Sequence, residues 1–125
     1  MAKLKDSFIL GRMKGAKYAL KGAFILLRTE ASVQVQFTIA TLLTIAGFYF
    51  KISTTEWMFQ ILSIGLIMSI EGLNTAIEEI ADFIHPEFHN KIGLIKDIAA
   101  GAVFIAAIAA TIIGLIIYLP KIIAL

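Results

Sequence analysis

Ile98–Leu119 reads IAAGAVFIAAIAATIIGLIIYL, 22 residues without a charge. A helix of that length rises about 33 Å, enough to cross the roughly 30 Å of hydrocarbon in a bilayer. Ala31–Phe50 is a second charge-free run, of 20 residues. A third, Trp57–Ile70, has 14 uncharged residues before it meets Glu71, and so predicts a short or partly polar span. Composition agrees: 59% of the 125 residues are hydrophobic and the mean hydropathy is +0.90, above the roughly 45–50% apolar share of soluble domains. The reading is an all-α membrane protein with one domain over residues 1–125. A surface helix is expected over about 3–28 and spans over about 31–50, 57–83 and 94–119.

Ahead of the first span, Ile9, Met13, Ala16, Leu20, Phe24 and Leu27 recur at helical spacing, while Lys14, Lys17, Lys21 and Arg28 fall on a neighbouring stripe. Long basic stems there can reach phosphate headgroups, so an amphipathic helix lying on the membrane is expected. This segment has no compact apolar core or small-residue cleavage site and does not read as a removable signal peptide. Lys51–Glu56 is a polar turn in which Ser53, Thr54 and Thr55 can cap the next helix and Trp57 can sit at the interface. Pro86, Asn90 and Gly93 mark the second connection. Basic residues before span one and between spans two and three outnumber Lys51 and Lys121 by nine to two. That bias puts the N-terminus in the cytoplasm and the C-terminus outside. Gly101, Ala102, Ala106, Ala107, Ala110 and Gly114 suit close helix packing. There is no cysteine, hence no disulfide or thiolate metal site, and no nucleic-acid motif.

Glu71, Asn74, Glu78 and Asp82 are three, four and four residues apart, so they share one helix face, with Glu79 beside it. If the span starts at Trp57, Glu71 lies roughly 8 Å inside the cytoplasmic boundary. An ionisable group costs about 2.5–3.5 kcal/mol at the centre of a span, and one retained within the membrane points to function before structure. The topology brings Glu30, this acidic face, and Lys96 with Asp97 to one membrane surface. Carboxylates with an asparagine suit Mg²⁺, which takes one or two carboxylates plus substrate phosphates. Lys96 near the start of a helix suits phosphate. Together these imply a nucleotide, and transfer of its terminal phosphate to an alcohol, the reaction of a kinase, would also need a base beside the acceptor hydroxyl, for which Glu71, the deepest acid, is the candidate.

No GxxxxGK[ST] loop and no protein-kinase signature is present. Two other readings compete. A small oligomeric transporter would also bury Glu71, but its polar path should continue through the bilayer, and spans one and three are charge-free. A membrane assembly subunit would use the basic helix and leave the acidic face without a role. His85 and His89 lack metal-ligand spacing and read as loop residues.

The segments Glu71-Gly72-Leu73-Asn74-Thr75-Ala76-Ile77-Glu78, Asp82, and Lys96-Asp97-Ile98-Ala99-Ala100-Gly101-Ala102-Val103 resemble the signature of the prokaryotic diacylglycerol kinase family. The likeness runs from about Tyr18 to the C-terminus and includes Lys21-Gly22 and Glu30. It implies a homotrimer in the bacterial inner membrane, with active sites shared between subunits, using ATP and Mg²⁺ to phosphorylate a membrane lipid alcohol. It makes Glu71 the catalytic base and Glu30 and Glu78 the metal ligands. Nucleotide contacts are expected at Arg12, Tyr18, Glu30, Glu78, Glu87, Phe88, His89, Lys96 and Asp97. The lipid is expected against Ser32, Gln36, Glu71, Asn74 and Ala100.

Departures bear on the substrate. Leu20 stands where the enterobacterial branch has tryptophan, Gln36 where it has an acid, and Ala100 where it has serine; Arg12 matches an N-terminal arginine with a one-residue slip. The ending Gly114–Lys121 is more similar to the Gram-positive branch, whose members phosphorylate undecaprenol. An uncharged lipid alcohol is expected, undecaprenol ahead of diacylglycerol, with its chain in an apolar groove between the surface helix and span one.

Overall fold

The computed structural model describes the backbone of residues 2–125 and the side chains of residues 7–125, so the side chains of Lys3 and Lys5 lie outside the described residues. Four helices follow one another: α1 (Ala2–Thr29), α2 (Ala31–Tyr49), α3 (Thr54–Ile84) and α4 (Asn90–Ile123), with no strand among the described residues. Of these, α2, α3 and α4 are long and apolar enough to cross a membrane.

The helices outrun the charge-free stretches because polar residues cap them. α3 starts at Thr54 rather than near 57: Ser53 Oγ accepts from the Glu56 amide at 3.1 Å, and Glu56 Oε1 accepts from the Ser53 amide at 2.9 Å, a reciprocal cap that satisfies two free donors. α4 starts at Asn90 rather than near 94, with His89 Nδ1 accepting the Lys91 amide at 3.0 Å. It also continues beyond Pro120. Proline costs a helix one amide donor, and Lys121 Nζ donates to the Ile117 carbonyl at 2.8 Å in that turn.

α2 ends on Lys51, whose φ of 51° is left-handed. The Ile52 amide returns to the Gly47 carbonyl at 3.1 Å and the Lys51 amide to that of Phe48 at 3.3 Å, the double closure that a left-handed terminal residue permits. Gly47 is buried, and a Cβ there would lie 2.5 Å from the Trp57 ring. The glycine lets the indole of α3 sit against the α2 backbone.

α3 and α4 run antiparallel and are tied at both ends, by Lys96–Asp82 and by Lys121–Glu56, each at 2.6 Å. α2 joins them through a buried polar knot: Gln60 Nε2 donates to the Leu43 carbonyl at 3.2 Å, and the Tyr118 hydroxyl shares its hydrogen between that carbonyl and Gln60 Oε1. A small apolar core of Ile52, Ile117 and Tyr118, flanked by Phe50 and Trp57, surrounds this knot. Most large apolar side chains face outward instead, Phe104 and Ile105 among them. That suits a lipid solvent, which does not drive apolar groups inward.

On α1, residues 7–25 are exposed and Leu26 and Leu27 are half-buried. The Leu26 Cδ1 atom lies 2.9 Å from where a Cβ on Gly72 would stand, so this glycine lets α1 approach α3 beside Glu71. The larger cavity, about 310 Å³, is lined from α2, α3 and α4, by Gln36, Ile39, Leu43, Gln60, Ile64 and Ala110 among others. No residue of α1 lines it. The groove expected between the surface helix and span one thus differs from the larger cavity, which the three spans enclose.

Candidate active site

The acidic face of α3 grades from buried to exposed. Glu71 is 8% exposed and Asn74 9%, Glu78 is half-buried, and Asp82 is exposed, as is Glu79. Helical spacing sets the alignment, and the position of each residue relative to α2 and α4 sets the gradient. The deepest acid meets an amide: Gln36 Nε2 on α2 donates to Glu71 Oε2 at 3.3 Å. Two acceptor atoms in the region, Gln36 Oε1 and Asn74 Oδ1, are buried without a hydrogen-bond partner among the described residues. Buried polar atoms are normally paired, so an unpaired acceptor invites a ligand, water or neighbouring chain to supply the hydrogen.

At the other end of the face, Lys96 of α4 holds Asp82. Both border a hollow of about 290 Å³ with His85, Pro86, Glu87, Phe88 and Asp97. The loop is shaped by its own contacts. His85 Nδ1 lies 2.6 Å from the Glu87 carbonyl oxygen, and the Phe88 ring rests over Gly93. Four expected nucleotide contacts, Glu87, Phe88, Lys96 and Asp97, therefore share one hollow. His89 is not among its lining residues and serves as the α4 cap.

The remaining expected residues are more dispersed. Glu30 is half-buried and is the single non-helical residue between α1 and α2, with φ −100° and ψ 112° and no side-chain capping bond. Gln34 secures the junction, its Nε2 donating to the Leu27 and Arg28 carbonyls at 3.1 Å each. Tyr18, Ser32 and Ala100 are exposed, and Arg12 lies over the Phe8 ring, 5.8 Å from its centre. Among the described residues no group of three or more His, Cys, Asp or Glu side chains is placed to hold a metal. A site for Mg²⁺ does not require such a group, since that ion takes one or two carboxylates and is completed by substrate phosphates.

The family model for prokaryotic diacylglycerol kinase matches residues 17–118. The chain belongs to the prokaryotic diacylglycerol kinase family. It is 42% identical over 108 residues to the undecaprenol kinase of Bacillus subtilis, covering 86% of this chain and 88% of that one. It is 32% identical over 100 residues to the diacylglycerol kinase of Escherichia coli K12, covering 80% and 82%. It is 31% identical over 94 residues to that of Haemophilus influenzae, covering 75% and 80%. As a diacylglycerol kinase family member the chain is a lipid kinase, which displaces the transporter and assembly-subunit readings.

Two relationships were not legible in the sequence of this kinase. Gln36 was expected against the lipid, and the structure gives its donor to Glu71. Asp82 belonged to the acidic face without a partner, and Lys96 reaches it across the α3–α4 turn. The second had a signal, cations just past a turn that follows an acidic helix face; the first had none, since any inward polar residue of α2 would have served.

Proposed function

We propose that the chain transfers the γ-phosphate of ATP to the hydroxyl of a long-chain lipid alcohol, undecaprenol ahead of diacylglycerol, at the cytoplasmic face of the bacterial inner membrane. The observation that carries this reading is the buried carboxylate of Glu71, accompanied by two amide oxygens that lack hydrogen donors. The carboxylate and the two unpaired oxygens are all acceptors, and an alcohol brings a hydrogen to one of them. Glu71 takes the hydroxyl proton as the alcohol oxygen bonds to the γ-phosphorus. The bond from that phosphorus to the bridging oxygen breaks, and ADP leaves with the electron pair. Asn74 orients the alcohol by donating from its amide nitrogen to the alcohol oxygen, and Ser32 and Ala100 border the lipid.

Lys96 and Asp97 with Glu87 and Phe88 receive the nucleotide in the hollow at the α3–α4 turn, and His89, Tyr18 and Arg12 approach from its margins. Glu30 and Glu78 would hold Mg²⁺, which neutralises phosphate charge when bound. The exposure of α1 supports a helix lying on the membrane. The dispersal of Arg12, Tyr18 and Glu30 suits a homotrimer in which neighbouring subunits complete each site. The higher identity to the undecaprenol kinase, 42% against 32%, supports the polyprenyl acceptor.

The test is a competition in one bilayer containing undecaprenol and diacylglycerol, with Mg-ATP and products separated by mass. Undecaprenyl phosphate should form with the higher kcat/KM. Dominant phosphatidic acid would reassign the acceptor, and no lipid product would remove the reading.

A further inference from the structure

We propose that Gln36 is a positioning residue for Glu71, fixing one carboxylate oxygen so that the other faces the reacting hydroxyl; this rests on Glu71 being the base. Gln36 lies in the first half of α2, in a span without charge, where an unpaired amide would be costly. Its neighbour by two, Gln34, points to the other side of the helix and holds the α1 junction. Gln36 instead turns inward and donates Nε2–H to Glu71 Oε2 at 3.3 Å. No other side-chain hydrogen bond to the Glu71 carboxylate occurs among the described residues. The distance is long for an amide–carboxylate bond, as bonds at a reacting group often are before substrate closes the site.

The chemistry of an amide suits the task. A lysine or arginine at residue 36 would neutralise the carboxylate and weaken it as a base. An amide fixes the carboxylate's orientation without adding a charge. Leu26 of α1 lies close against Gly72, the residue after Glu71, so α1 approaches beside the Glu71 backbone while α2 reaches its carboxylate. With Oε2 occupied, Oε1 is the oxygen left to accept the proton. The proton leaves the alcohol for Oε1, the alcohol oxygen bonds to the γ-phosphorus, and the phosphorus–ADP bond breaks. Gln36 takes no part in that exchange and keeps its own hydrogen.

This assignment differs from a lipid contact in what a substitution does. Gln36→Met keeps length and volume and removes the donor. In proteoliposomes with Mg-ATP and undecaprenol, kcat should fall about ten- to hundredfold, the cost of a misaligned reacting group. The KM for the lipid and the affinity for Mg-ATP should each stay within about twofold of the parent. Gln36→Asn, which keeps the amide but shortens it, should also lower kcat, and it carries the test if the methionine variant does not fold. Unchanged kcat, or a loss confined to lipid KM, overturns the proposal. Glu71→Gln is measured alongside: if it retains turnover the base assignment itself fails, and if it is inactive while Gln36→Met is normal only the role of Gln36 fails.

Discussion

Lys96 Nζ sits 2.6 Å from Asp82 Oδ1, closing α4 onto α3 at the mouth of the hollow that Glu87, Phe88 and Asp97 also line. Both partners are well exposed, so the pair contributes little to folding. Its value is in placing a cation with three donors, only one of them used by the aspartate, at that mouth; because α4 begins at Asn90, Lys96 acts there nearly two turns inside the helix and not at its N-terminus.

Lys96→Met should therefore raise the KM for ATP about ten- to hundredfold, the worth of a charge-assisted phosphate contact. Thermal unfolding in detergent should hardly move. Steady-state kinetics against ATP, beside a melting curve, measure both. A variant with parental KM and a lowered Tm would make the pair structural.

Glu30 and Glu78 are the carboxylates proposed to hold Mg²⁺. Glu30→Ala and Glu78→Ala should each raise the apparent KM for ATP at limiting Mg²⁺, with partial recovery as Mg²⁺ is increased. Titrating Mg²⁺ at fixed ATP reads the effect. Glu79→Ala, on an exposed neighbour of Glu78, should match the parent throughout.

Tyr118 and Gln60 lie at the opposite end of the bundle and form its best-buried polar contact. Tyr118→Phe removes the hydroxyl shared by Gln60 Oε1 and the Leu43 carbonyl, and Gln60 keeps its own bond to that carbonyl. The loss should be about 0.6–2 kcal/mol, within the range for polar contacts between spans. Reversible unfolding in mixed micelles reads it. kcat and both KM values should stay parental, since none of the proposed reacting groups belongs to this knot.

The α2–α3 turn gives a change in the other direction. Lys51 holds a left-handed backbone that costs a side-chain-bearing residue about 1–2 kcal/mol relative to glycine. Lys51→Gly should raise stability by about 1 kcal/mol at most, because glycine also gains freedom when unfolded. Gly47→Ala should lower it by about 1–3 kcal/mol, since the added methyl meets the rigid Trp57 ring.

The sequence carried the number of spans and the acidic face because both depend on local spacing. Charge-free runs gave α2 and α4, and the interval from Glu71 through Asn74 and Glu78 to Asp82 gave one face of α3. Helix ends were less legible. His89 capping α4 and the continuation beyond Pro120 depend on geometry that residue type does not fix. Contacts between helices were least legible of all. Gln36 reaching Glu71, and Leu26 lying on Gly72, require the relative rotation of α1, α2 and α3, which no single helix encodes.

The two ion pairs between α3 and α4 also act as a ruler. Lys96 and Lys121 are 25 residues apart on one helix, and Asp82 and Glu56 are 26 apart on the other, about 38 Å in each case. Sliding one helix along the other by a turn would separate both pairs at once. A bilayer thinner or thicker than this frame is met by tilting the helix pair as a unit, so the depth of Glu71 relative to Lys96 is preserved from one membrane to another.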